Sequence, residues 1–181
     1  DGITRDVTAQ AKVTISDPKI AKIVNLEVLP VGDGKCSIAV EFEGKTTQVP
    51  VDVKDATKDR PISFKLDVMP IFLRNGCNQG GCHGAARGKD GFRLSLFGFD
   101  PDGDHYRLTR ELNGRRINLA IPEESLLVEK SIGKVPHTGG QKFAVGEQYY
   151  NDLVRWVDAG GPQDPAGIPT PVSVDLFPKS A

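Results

Sequence analysis

Two cysteines with four residues between them, and a histidine directly after the second, set the tightest constraint on this chain: Cys77-Asn78-Gln79-Gly80-Gly81-Cys82-His83. Covalent haem attachment needs two thiols that form thioethers with the porphyrin's former vinyl groups. It also needs an imidazole beside the second thiol to ligate the iron, and the usual spacing is C-x-x-C-H. Here the spacing is C-x4-C-H, so the histidine keeps its relation to the second cysteine and the two extra residues must bulge out. Gly80 and Gly81 in the insert suit unusual backbone angles. The expectation is one covalent haem c per chain, held by Cys77 and Cys82 with His83 as proximal ligand.

Three rival readings use the same residues. Zinc needs about four protein ligands, and no second cysteine pair exists; His105 and His137 could complete Cys77 and Cys82, but their spacing does not resemble a zinc-finger arm. A Cys77–Cys82 disulfide is sterically possible in an exported protein, and a redox pair would prefer C-x-x-C. Neither of these two explains His83. The third cysteine, Cys36, lies alone on a predicted strand, where a small buried hydrophobe is the expected role. An odd cysteine count also speaks against a disulfide framework.

The sixth iron ligand is a separate question. Ordinary small cytochromes c place a methionine on a late loop, whereas the one methionine here, Met69, precedes the motif. Lys134-Val135-Pro136-His137-Thr138-Gly139-Gly140 looks like the methionine-proline-proline-glycine loop with valine in the methionine position. His137 is therefore the expected distal ligand, since neutral imidazole binds iron strongly. Met69, His105 and an open position remain alternatives; Met69 would otherwise fill core space, and His105 is expected on the surface of an amphipathic helix. Two histidines saturate the iron and lower its potential relative to methionine. An open position would favour ligand sensing or peroxide chemistry.

The 181 residues allow one medium domain or two small ones. Lys+Arg 23 against Asp+Glu 24 gives a net charge of -1, with no basic surplus for nucleic acid. No apolar run reaches the length of a membrane span. The chain opens at Asp1 within a polar strand-like pattern, which reads as a mature or trimmed fragment. Gly 20 and Pro 13 predict long loops and few helices.

Residues 1 to about 60 read as strands: 13–15, 21–24, 37–42 and 46–53 are rich in β-branched residues. Turn chemistry at Ser16-Asp17-Pro18, Gly32-Asp33-Gly34 and Glu43-Gly44-Lys45 separates them. Asp1-Gly2-Ile3-Thr4-Arg5-Asp6-Val7-Thr8, Ile20-Ala21-Lys22-Ile23 and Gly32-Asp33-Gly34-Lys35-Cys36-Ser37-Ile38 resemble the bacterial immunoglobulin-like group 2 domain, without its earliest strands. Val172-Ser173-Val174-Asp175-Leu176-Phe177-Pro178 resembles that domain's first strand. It either begins a further Ig-like domain or completes the first sheet.

Beyond residue 61 helices are predicted over 64–74, with Asp67 as N-cap, and near 104–112, 123–130 and 147–159, the last stopped by Gly160-Gly161-Pro162. Cys77 to Gly84, Gly91-Phe92-Arg93-Leu94-Ser95-Leu96-Phe97-Gly98-Phe99-Asp100-Pro101, Arg115-Arg116-Ile117-Asn118, Pro122 to Leu127, Val135-Pro136-His137 and Leu153 to Gly160 resemble the planctomycete-type cytochrome c domain over about 64–162. The resemblance implies an exported, periplasmic or cell-surface haem protein that is part of a larger multidomain chain. Phe92, Leu94, Leu96 and Phe99 are expected to wall the haem pocket. Tyr149, Leu153 and Trp156 share a helical face suited to a flat porphyrin. Arg115-Arg116 would pair with a propionate or form a solvated surface pair.

The resulting expectation is an all-β Ig-like sandwich (1–60), a mostly α cytochrome c-like haem domain (61–165) and a tail (166–181). Its function would be one-electron transfer to an unknown redox partner protein, with no nucleic acid and no membrane span. No conspicuous acid/base pair lies near the motif, which weighs against an enzyme. A structural or adhesive surface module with a fold-stabilising haem, and a haem sensor or peroxidase-like enzyme, are the alternatives.

Overall fold

Alternating β-branched residues and tight turns build the first part of the chain. The computed structural model describes residues 5–169 and 171–176. These divide into two compact units, 5–60 with 171–176 and Pro61–Pro169. In the first, β1 (Lys12–Ile15), β4 (Gly34–Phe42) and β5 (Lys45–Val53) form an antiparallel sheet in the order β1-β4-β5. Val13 pairs with Val40, and Ile38 with Val49. Pro50 lies on the edge strand β5, where a missing N–H costs least. The second sheet is a hairpin of β2 (Ala21–Val24) and β3 (Glu27–Pro30).

The four predicted strand segments all lie within strands, and β3 is additional. Its turn explains the omission. Asn25 and Leu26 both have positive φ (50° and 66°), the backbone of a two-residue hairpin turn that normally carries Asn-Gly. Leucine gives no such signal. The turn between β4 and β5 has the same sign pattern at Glu43 (φ 47°) and Gly44 (φ 73°), and there the glycine made it readable.

The expected fold class does not hold in either half. A β-sandwich needs two sheets whose inner faces share a core. Here one sheet has three strands and the other two, and among the described residues of this unit only Ala21 and Ile38 are buried apolar side chains. Val24, Val28 and Val49 stay exposed, and Cys36 is half-buried rather than buried. Residues 171–176 form no strand, and Val172 is 98% exposed. The ends of the Ig-like resemblance, residues 1–4 and Phe177-Pro178, lie outside the described residues.

The second unit is not mostly helical. Its α-helices are α1 (Met69–Arg74), α2 (Pro101–Thr109), α3 (Leu126–Ser131) and α4 (Gln148–Asp158), joined by long irregular segments with isolated helical turns. No helix among the described residues is long and apolar enough to cross a membrane. A π-helical turn, Phe64–Val68, leads into α1; Ser63 rather than Asp67 caps it, accepting from the Leu66 amide. Asp67 returns the bond by accepting from the Ser63 amide at 2.8 Å. Pro70 sits in the first turn of α1, where it is tolerated.

One continuous apolar core joins these pieces. Trp156 and Leu153 of α4 are fully buried with Phe64, Val68, Leu108 and Val128. Trp156 Nε1 donates to the Pro162 carbonyl at 3.0 Å, and the Asp164 carboxylate accepts from the Phe64 and Lys65 amides. The segment after α4 is thereby tied to the start of the unit. The Asp104 carboxylate, also fully buried, accepts from Ser95 N and Oγ at 2.6 Å each and from Arg107 at 3.0 Å.

Candidate functional site

The cysteine loop follows directly from the end of α1. Cys77 N donates to Phe72 O at 2.8 Å, His83 N to Cys77 O at 2.9 Å, and Cys82 N to Gln79 O at 2.9 Å. These bonds fold the insert over itself, but not by the expected bulge. Asn78 turns inward and is fully buried, while Gln79, Gly80 and Gly81 are exposed. Gly80 and Gly81 have ordinary φ and open space around them. The glycine this loop requires is Gly84, where a Cβ would collide with the Asn78 carbonyl. Neither polar atom of the Asn78 side chain has a hydrogen-bond partner among the described residues.

His83 is fixed on three sides. Its amide bonds Cys77, its carbonyl accepts from the Leu94 amide at 2.8 Å, and Nδ1 donates to the Phe92 carbonyl at 3.0 Å. Its ring lies 4.8 Å from that of Phe92. Burial is the main cause that lowers the His83 pKa below 6.5, and nearby His137 adds to it. The ring therefore stays neutral at physiological pH, with its lone pair on Nε2. His137 is built the same way, with Nδ1 donating to the Gly140 carbonyl at 2.9 Å.

The two imidazole rings are close and parallel. Their centroids are 6.4 Å apart and their planes differ by 6°. Two imidazoles in line, bound through Nε2 to opposite sides of one metal at about 2.0 Å, would have centroids about 6.3 Å apart. A carbonyl acceptor on Nδ1 is the arrangement that fixes the ligating tautomer. Among the described residues no group of three or more His, Cys, Asp or Glu is placed to hold a metal ion.

His83 and His137 line one cleft together with Cys77, Cys82, Phe92 and Leu94. Its empty space is about 880 Å³, a figure that includes the open mouth. Both thiols are free. Burial pushes the Cys77 thiol up to about 11, against a smaller opposing effect of Lys142, so it is a neutral thiol at physiological pH. Lys89, Arg115, Arg116, Lys130 and Lys142 line the cleft with one carboxylate, Asp90. This cationic wall suits a ligand with an apolar body and carboxylate groups.

Several expected residues lie elsewhere. Trp156 is in the core against Phe64 (5.3 Å between centroids) and His105 (6.0 Å), not on the cleft. Tyr149 packs on Phe143. Leu96 and Phe99 are exposed, and Phe97 N is tied to the Asn78 carbonyl. Met69 is buried away from the cleft, and His105 is buried rather than on the surface, with Nε2 donating to Gly161 O at 2.8 Å. Arg116 is committed to the Arg107, Glu111 and Gly91 carbonyls and sits over the Phe92 ring at 4.6 Å. Arg115 is the exposed member of the pair. Sequence reasoning missed Lys130 and Asn78, and no spacing rule marks either. Comparison with protein-family models, with curated proteins and with solved structures gives no match.

Proposed function

We propose that this chain carries one covalent haem c, bound through thioethers from Cys77 and Cys82 with His83 and His137 as axial ligands, and serves one-electron transfer in an exported multidomain protein. The observation that supports it most is the parallel His83–His137 pair at 6.4 Å, each Nδ1 tied to a backbone carbonyl, on a cleft that both thiols line. The haem supplies the Fe(III)/Fe(II) couple. The chain's residues do the rest. His83 and His137 present Nε2 from fixed tautomers, so ligation need not change between redox states. Leu94 and Phe92 exclude water from one wall, and the Arg116 guanidinium holds Phe92 in place. Arg115 and Lys89 present charge for the propionates.

Two saturating imidazoles favour electron transfer over sensing or peroxide chemistry, which need an open position. The test is the optical and near-infrared spectrum of the haem-loaded chain and of His137→Ala. Low-spin bis-imidazole bands in the first and a high-spin or ligand-accepting spectrum in the second are expected. A wild-type protein that takes up cyanide or imidazole as fast as His137→Ala would refute the assignment.

A further inference from the structure

The loop that carries His137 is suspended from α3. At its near end, Lys134 N donates to Glu129 O at 2.9 Å, and Lys134 Nζ pairs with Glu129 at 2.7 Å. At its far end, Lys142 N donates to Ser131 O at 2.8 Å. Between these anchors the hydrogen bonds of His137 are local, from Gly140 N to its carbonyl and from its Nδ1 to Gly140 O. One bond reaches the middle of the loop from outside it: Lys130 Nζ donates to Pro136 O at 2.9 Å. Lys130 is half-buried and lines the same cleft.

The choice of carbonyl matters. Proline fixes φ, so ψ is the one soft torsion left at Pro136. A hydrogen bond to its carbonyl fixes the 136–137 peptide plane, and with it the direction in which His137 leaves the chain. His83 needs no such device, because its own amide, carbonyl and ring are all bonded. We propose that Lys130 is a positioning residue for the distal histidine, acting through the Pro136 carbonyl to hold the His137 imidazole toward His83. This rests on the reading of His137 as an axial ligand.

The experiment compares haem-loaded wild type, Lys130→Ala, Lys130→Arg and His137→Ala by the rate at which carbon monoxide binds the reduced protein. Losing a charge-assisted tether should raise the fraction of time the imidazole is away, and hence that rate, about five- to tenfold in Lys130→Ala. Lys130→Arg, which keeps a cationic donor, should return most of the way to wild type, and His137→Ala should bind fastest. Covalent haem content and far-ultraviolet circular dichroism should stay unchanged in Lys130→Ala, which separates positioning from folding. Equal rates in Lys130→Ala and wild type, with His137→Ala fast, would overturn the role of Lys130 alone. Equal rates in His137→Ala and wild type, or no haem in any of them, would overturn the ligand reading and this inference with it.

Discussion

The two units of this chain are held together by different means. In the β unit the backbone ladder carries the order: nine residue pairs join β4 to β5, while few side chains are buried. In the second unit the backbone is largely irregular, and a continuous core from Ile62 to Val157 holds it. The chemistry follows the second pattern. Irregular backbone leaves carbonyls outside long ladders, and here two of them orient side chains: Phe92 O and Gly140 O each accept from an imidazole Nδ1. A regular sheet spends the same groups on its neighbours.

The largest effects should separate the units. Trp156→Ala should cost about 3–5 kcal/mol, the range for deleting a buried aromatic. Amide hydrogen exchange should quicken across 61–169 and stay unchanged in β4 and β5. Faster exchange in both would break the division into two units. Ile38→Ala should cost roughly 2 kcal/mol, the low end for a buried aliphatic, because a thin core collapses more readily. Its effect on exchange should be confined to the β unit.

A smaller effect is expected from pH and sharpens the comparison on the side of the site. The folded His83 pKa lies below the ordinary 6.5, so in the chain without haem the unfolded state takes up that proton first as pH falls. Stability from this group is complete above the unfolded value and is lost as pH drops from about 6.5. Thermal melts from pH 8 to 5 should show this slope in wild type and a shallower one in His83→Gln. A wild type that gains stability on acidification, relative to His83→Gln, would contradict the neutral buried ring.

Much of the local structure was readable in the sequence because its signals are local. Glu43-Gly44 marks a hairpin, Gly160-Gly161-Pro162 ends α4, and His83 follows Cys82 directly. What was not readable depends on residues distant in sequence. Nothing in 100–110 tells that His105 would turn inward onto the Gly161 carbonyl, or that Asp104 would be buried under Ser95. The sandwich failed because alternation predicts strands, not whether a second sheet is large enough to cover them. The mostly α reading failed because the helices are short and long irregular segments join them, which the Gly 20 and Pro 13 already implied. The pairing of His83 with His137 rested on a resemblance and a loop position, and the carbonyls that orient the rings had no sequence signal.

The most direct test of the haem c reading is the intact mass and thiol content of the denatured chain, produced in a host that attaches haem c. Of the three cysteines, Cys36 alone should react with an alkylating reagent, and the mass should exceed that of the polypeptide by one haem that acidified solvent does not remove. A chain of polypeptide mass with three reactive thiols, or haem that acidified solvent extracts, would contradict the account.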